Sequence, residues 1–237
     1  ETQLQEVMKV KAEQALEVQA LEYQKHLEFL AYNEPLTGLL NRNGLVKQLK
    51  LMMQQTTVDA EPIAAIAVDL DYFSQIGSQL GSDGTNRILG ILARRWQDAV
   101  MPNGSLAHLG GDDFVVLVKN SKLLTLQLDS FYLAANQTFH IDQWQSSLSF
   151  TAGISLYTPN SWEGQIDPDR LLRQADYALY QAKQECRGHY LYFDAHEDQQ
   201  RRLRNDKISA LRNALLENQF VLHYQPKVDM RSGTIIG

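Results

Sequence analysis

Gly110-Gly111-Asp112-Asp113-Phe114 places two glycines and two acids where a β-hairpin should turn, between the apolar runs Ser105–Leu109 and Val115–Val118. Glycines let the backbone take positive φ and let a bulky anion approach closely, and carboxylates are hard oxygen ligands for a divalent cation. Together they suggest metal-bound phosphate, although Gly-Gly-Asp alone is also an ordinary hairpin turn. A second acidic pair, Asp69 and Asp71, follows the apolar run Ile63–Val68. If that run is a strand beside the hairpin, Asp69 and Asp112 converge at one end of a sheet, the arrangement that holds Mg²⁺ against a triphosphate in phosphoryl-transfer enzymes. Capping of a following helical turn would explain either Asp69 or Asp71 singly. Lys183 and Arg187 lie four residues apart near the end of a helical pattern, share one face and could grip phosphates. They could equally complement the dipole at that helix's C-terminus.

The elements that must position these groups alternate. Ile63–Val68 reads as a buried central strand, and Gly84 to about Val100 as an amphipathic helix with Ile88, Leu89, Leu92 and Trp96 inward. After the hairpin come a helix near Leu123 to Asn136, a strand from Leu148 to Leu156, a helix from Pro168 to Cys186 capped by Asp167, and a strand over Tyr190–Phe193. The order β-α-β-β-α-β, with one extra helix and strand, predicts an α+β fold with helices flanking one central antiparallel sheet.

Before this core, Glu1 to Tyr32 contains neither proline nor glycine and predicts one long helix. Leu16, Ala20, Tyr23, Leu27 and Leu30 form a heptad seam that Leu4, Met8 and Ala12 extend, so a coiled coil between two copies is favoured over packing on the chain's own domain. After the core, Glu197–Asn218 is charged and helical, with Arg201, Arg202, Arg204 and Lys207. Phe220–Tyr224 then predicts a strand that Arg231–Thr234 turns into Ile235-Ile236. A lone hairpin makes no core, so disorder or opportunistic packing on the first domain is expected there.

With 44% hydrophobic residues among 237, the chain can bury one sizeable core in one or two domains. A net charge of −6 and a pI near 5.5 argue against a general nucleic-acid binder, yet allow a local cationic pocket. The single cysteine, Cys186, excludes an intrachain disulfide and suits a reducing compartment. No apolar run approaches the roughly 18 residues of a membrane helix, and no signal peptide is visible. The chain begins inside a helical pattern without methionine. It therefore reads as a cytoplasmic piece of a longer protein whose missing part could hold an inner-membrane span.

Over roughly Asn33 to Asp194 the chain resembles the GGDEF domain, the diguanylate cyclase family. Four motifs in order carry the resemblance: Glu34–Arg42, Asp69-Leu70-Asp71-Tyr72-Phe73, the Gly110–Phe114 signature, and Ala175–Lys183. Leu222–Pro226 and Gly233–Gly237 resemble the start of an EAL domain, the cyclic di-GMP phosphodiesterase family, which would stop before its metal-binding motif. The implied division is a signalling helix over 1–32, a GGDEF domain over 33–194, a linker helix over 195–218 and a truncated EAL start over 219–237. The family implies a sheet like that of nucleotidyl cyclases and polymerase palms, joining two GTP into cyclic di-GMP with release of pyrophosphate. By resemblance, Asp69, Asp112 and the Leu70 carbonyl would hold Mg²⁺ (or Mn²⁺), with Asp69, Asp112 and Asp113 as the catalytic acids. Gly110 and Gly111 would leave room for the nucleotide, while Phe73 amides, Lys183 and Arg187 would hold its phosphates. One subunit would carry one GTP, so two must face each other in a homodimer, which gives the N-terminal helix a task.

The chain departs from that pattern where the family reads guanine. Gly77 stands where an Asn is usual and offers no side chain; Asn86 stands where an Asp is usual and loses the charge-assisted pair with the base. Ser74 replaces a lysine, Asp113 a glutamate, and the Arg-x-x-Asp pattern of the family's product-inhibition site would begin at Met101, where the residues are Met101-Pro102-Asn103-Gly104. Gln225 could contact cyclic di-GMP in a complete EAL domain. Two functions follow: a degenerate, regulatory nucleotide-binding module controlling an EAL phosphodiesterase, which the lost base contacts favour, or a slow diguanylate cyclase with weak GTP affinity.

Overall fold

A computed structural model gives the structure of residues 2–57, 61–100, 104–119, 124–159, 166–223 and 225–235, without the side chains of 2–13, 15, 201, 202 and 205. Two compact units divide the chain between Phe193 and Asp194. The first contains α1 (Thr2–Tyr32), α2 (Arg42–Gln55), β1 (Ile63–Leu70), α3 (Phe73–Ala99), β2 (Ser105–Gly110), β3 (Asp113–Val118), α4 (Leu124–Asn136), β4 (Phe139–Ile141), β5 (Trp144–Ser146), β6 (Phe150–Tyr157), α5 (Pro168–Glu185) and β7 (Tyr190–Tyr192).

Strand β1 is buried along its whole length because both faces of the sheet are covered. Strand alternation sends Ala64, Ile66, Val68 and Leu70 into a cluster with Trp96, Phe114, Phe131 and Phe150, while Ile63, Ala65 and Ala67 join Leu45, Leu49, Met53 and Leu171. Helices α3 and α4 contribute to the first cluster, α2 and α5 to the second. Trp96 anchors the first: the rings of Phe114, Phe131 and Phe150 lie 5.0, 5.3 and 5.4 Å away, and its indole N–H donates to the Phe131 carbonyl at 3.1 Å.

The α+β architecture agrees with expectation, with one correction. The five strands run in the order β2-β3-β1-β6-β7, and β7 pairs with β6 in parallel, so the sheet is mixed rather than wholly antiparallel. The cause is α5, a helical crossover between the two strands that returns the chain in the same direction. Three further differences are local. Helix α2, absent from the sequence reading, starts at Asn41, whose side chain accepts the Gly44 N–H. Helix α3 begins at Phe73 rather than near Gly84, because Phe73, Ile76 and Leu80 pack on the core despite the poor helix formers between them. It breaks at Gly81, which takes φ 69° and ψ −176°. Finally, β4 and β5 form a small hairpin beyond the main sheet.

The long N-terminal helix is present, and Leu16, Ala20, Tyr23, Leu27 and Leu30 are all exposed along it; the side chains of Leu4, Met8 and Ala12 lie outside those described. In the second unit, α6 (Ala195–Leu216) is capped by Asp194, which accepts from the His196 and Glu197 N–H groups. The expected strand at 220–224 does not form over Phe220–His223, and Tyr224 is outside the described residues. Among the described residues, a bridge between Val228 and Ile235 and two backbone hydrogen bonds, Asp229 N–H to the Thr234 carbonyl and Gly233 N–H to the Asp229 carbonyl, close the turn over 229–234. A single hairpin without further strands has too little to bury.

Candidate active site

The register of the sheet brings the acids together. Asp69, near the end of β1, lies opposite Asp113 of β3 on one side and Thr151 of β6 on the other. Gly110 and Gly111 turn the hairpin with φ of 115° and 59°, values that favour glycine, and a Cβ at either would meet nothing within 4 Å. Backbone geometry therefore selects the glycines, and open space remains above them. The Leu70 N–H donates to the Asp112 carbonyl at 3.3 Å, which ties the turn to β1. As a result, carboxylate oxygens of Asp69, Asp112 and Asp113 lie within 4.8 Å of one another.

Three carboxylates this close repel one another and favour protons or cations. Burial pushes the Asp69 carboxyl up, the Lys183 ammonium opposes that shift, and Asp112 and Asp113 add to it. Burial, followed by Asp112, likewise raises Asp113. Lys183 comes from α5 and places its Nζ 2.5 Å from Asp69 Oδ2. It is thus directed into the acidic corner. Hard oxygen donors at this spacing fit a small divalent cation.

Arg187 is not in that corner. Its Nη1 lies 3.7 Å from Asp71 Oδ1, and its guanidinium stands 5.1 Å from the centre of the Tyr72 ring. Asp71 is buried and separate from the three-carboxylate group. It accepts the Thr151 hydroxyl at 2.7 Å, and that hydroxyl accepts the Gly188 N–H at 2.9 Å. Asp71 and Thr151 therefore fix the turn that carries Arg187. Sequence reasoning missed Thr151, and its one signal was a hydroxyl inside the apolar run Phe150-Thr151-Ala152-Gly153.

Phe73 heads α3 after Tyr72, which adopts φ 58° and supplies no side-chain cap. The first N–H groups of a helix lack intrahelical acceptors and attract anions. On the same helix, Gly77 is half-buried and Asn86 exposed, one on each side of the break at Gly81. A Cβ at Gly77 would meet only Thr85 Cγ2, at 3.7 Å. The position of the missing product-inhibition motif, Met101–Asn103, lies outside the described residues.

A family model, Diguanylate cyclase, GGDEF domain, matches residues 31–189. The chain belongs to the GGDEF family. It is 32% identical over 211 residues to the bifunctional diguanylate cyclase/cyclic di-GMP phosphodiesterase MucR of Pseudomonas aeruginosa, covering 88% of this chain and 30% of MucR. An uncharacterized signaling protein of Caulobacter vibrioides is 31% identical over 220 residues, covering 90% of this chain and 26% of its own length. The chain thus spans under a third of these relatives. Among solved structures, the isolated GGDEF domain of TpbB (YfiN) from Pseudomonas aeruginosa superposes with a TM-score of 0.63 at 26% identity, covering 71% of this chain and 98% of that domain. The coiled coil and GGDEF domain of DgcB from Caulobacter crescentus shares the fold, with a TM-score of 0.65 at 18% identity over 76% of this chain and 96% of that one. The GGDEF fold is α+β with a mixed central sheet, and its signature is the Gly110–Phe114 turn at the acidic corner.

Proposed function

We propose that this GGDEF domain is a regulatory module of a cyclic di-GMP signalling protein, binding a metal–nucleoside triphosphate weakly and passing its state to a following EAL phosphodiesterase. The observation behind this reading is a division within one site. Asp69, Asp112, Asp113 and Lys183 are assembled at the phosphate end, while positions 77 and 86 offer the base no carboxylate and, at Gly77, no side chain.

Asp69, Asp112 and the Leu70 carbonyl would hold Mg²⁺ or Mn²⁺, and Asp113 would add charge to the same corner. The ion, when bound, would polarise a phosphoryl oxygen and neutralise charge developing on it. Binding there would relieve the carboxylate repulsion and compete with Lys183 for Asp69, freeing the ammonium for a phosphate oxygen. Phe73 and its neighbours at the head of α3 supply backbone donors, and Arg187 supplies a guanidinium from the Gly188 turn. Gly110 and Gly111 leave space for the nucleotide, and Asn86 keeps one acceptor near the base. The exposed seam on α1 suits a homodimer in which two such faces meet, with α1 over 1–32 as signalling helix, 33–194 as the cyclase-like domain, 195–218 as a linker and 219–237 as the beginning of an EAL domain. Among the described residues no helix is long and apolar enough to cross a membrane. A role in cyclic di-GMP signalling, rather than that absence, is the ground for proposing a cytoplasmic domain in a parent that could carry an inner-membrane anchor.

One observation favours a second reading, a slow diguanylate cyclase: the three acids and Lys183 are brought together in one corner. Incubating the full chain with Mn²⁺ and GTP, with product analysis and parallel GTP and ATP titrations, separates the two. The regulatory reading expects metal-dependent binding with little preference for GTP and no cyclic di-GMP. Product formation that disappears with Asp112→Ala would establish the cyclase instead.

A further inference from the structure

Asp71 carries a buried carboxylate that the acidic corner does not use. Its side chain is 1% exposed, and it lies outside the group formed by Asp69, Asp112 and Asp113. The Asp71 N–H donates to the Ser149 carbonyl at 2.9 Å, which sets the residue against the start of β6. There Oδ1 accepts the Thr151 hydroxyl, while Oδ2 has no hydrogen-bond partner among the described residues. Oδ2 faces the turn after α5, since a Cβ on Gly188 would stand 3.9 Å from it. Among the described residues the cation paired with this carboxylate is Arg187.

A buried carboxylate with a single hydrogen bond needs a counter-charge, and taking that partner away leaves it uncompensated. Arg187 therefore cannot leave for a ligand in the way that Lys183 can. A divalent cation at the corner would replace Lys183 beside Asp69, whereas Asp71 stands apart and gains no replacement. Arg187 is also engaged sparingly. Its Nη1 is 3.7 Å from Oδ1, an ion pair beyond hydrogen-bond reach, and its side chain remains 40% exposed over the Tyr72 ring. A guanidinium has five N–H donors in a rigid fork, so a contact through one of its nitrogens leaves the others for an oxyanion.

We propose that Asp71 is a positioning residue that holds the Arg187 guanidinium ready for the phosphates of the bound nucleotide, with Thr151 as its anchor. This role rests on the reading of the corner as a triphosphate site. A free arginine gives up the freedom of several rotatable bonds when it meets a ligand, and Asp71 and Tyr72 remove much of that freedom on folding. The Thr151 hydroxyl makes the arrangement rigid, because it donates to Asp71 and accepts the Gly188 N–H, the residue after Arg187. Asp71 also competes with phosphate for the arginine's charge. The long contact to Nη1 makes that competition the smaller effect, so the sign of the response to Asp71→Asn decides between the two.

Two measurements on the full chain test this. Arginine-selective ¹⁵N NMR without metal or nucleotide reads whether the guanidinium is held, and Arg187→Lys identifies its signal. Slow guanidinium rotation is expected in the parent chain and in Thr151→Ser, and fast rotation in Asp71→Asn and Thr151→Val. Calorimetric titration with Mg²⁺–GTP then reads the consequence. Asp71→Asn keeps the shape and an acceptor for Thr151, and it should weaken binding roughly tenfold or more, the scale of one charge-assisted contact. Adding Arg187→Ala to that variant should cost little more, and the thermal shift produced by Mn²⁺ alone should persist in both. A guanidinium that rotates freely in the parent chain, or an Asp71→Asn variant that binds Mg²⁺–GTP as well as the parent or better, would overturn the inference. A held guanidinium in a parent chain that binds no Mg²⁺–GTP would instead refute the triphosphate reading, and the role in phosphate binding with it.

Discussion

If positions 77 and 86 face the base as proposed, the double substitution Gly77→Asn, Asn86→Asp is expected to raise GTP affinity by roughly two to three powers of ten. A neutral amide contact contributes about 1 kcal/mol and a charge-assisted one about 1.5–3 kcal/mol, so the pair supplies about 2.5–4 kcal/mol at about 1.4 kcal/mol per tenfold. The structure can take both changes. A Cβ at position 77 meets only Thr85 Cγ2, at the ordinary contact distance of 3.7 Å, and Asn in place of Gly favours the helix by a few tenths of a kcal/mol, on the order of 0.3. Asn86 is exposed, and Asp has nearly its shape. Adenine lacks the N1 and N2 hydrogens of guanine, so ATP affinity should barely move and serves as the control. Equilibrium titrations of GTP and ATP with Mg²⁺, on parent and variant chains matched by circular dichroism and thermal midpoint, measure the ratio. An unchanged GTP-to-ATP preference in a folded double variant would refute the assignment of these two positions to the base.

Other outcomes test the support beneath the site. Trp96→Ala empties the centre of the aromatic cluster and should cost about 3–5 kcal/mol, lowering the thermal midpoint by roughly 10 °C. Gly153→Ala would bring a Cβ to 2.0 Å from the Leu179 N and 2.2 Å from the Ala175 carbonyl; α5 must lift from β6, costing about 2 kcal/mol or more and displacing Lys183, with loss of Mn²⁺-dependent GTP binding as the readout. Asp69 and Asp113 hold protons more tightly in the folded chain than the ordinary value of 3.8 implies, so their contribution to stability falls as pH rises above that value. Asp113→Asn should therefore raise the midpoint of the metal-free chain more at about pH 7 than at about pH 4; an equal gain at both would be evidence against carboxylate repulsion.

Much of this fold follows from patterns with one strong physical cause. The apolar run Ile63–Val68 had to be central because no face of it is polar, and the order of strands and helices led to the α+β core. Features that depend on tertiary contact were harder to read. The start of α3 is hidden by Ser74, Gly77, Ser78 and Gly81, which disfavour helix, yet burial of Phe73, Ile76 and Leu80 decides it. The parallel β6–β7 pairing depends on where α5 leaves the chain, which no local pattern encodes. At the site, Asp69, Asp112 and Lys183 were legible as charges at element ends. The Asp71–Thr151–Gly188 and Glu34–His108–Gly111 links were not, since each joins residues from distant segments through one buried polar group.

The residues of the acidic corner also stand on different supports, and this affects what the acids prove. Asp69 and Lys183 stabilise one another: removing either leaves a partly buried partner uncompensated. Their presence is explained by folding alone and says little about turnover. Asp112 is different. Its carbonyl serves the fold by accepting the Leu70 N–H, which any residue could do, whereas its carboxylate raises both Asp69 and Asp113. Without a cation that side chain only adds repulsion. Asp112→Ala is accordingly expected to raise the thermal midpoint of the metal-free chain at neutral pH and to remove most of the gain produced by Mn²⁺. A midpoint that falls in Asp112→Ala, with the Mn²⁺ response intact, would mean that the carboxylate serves the fold, and the signature turn would no longer support a metal site.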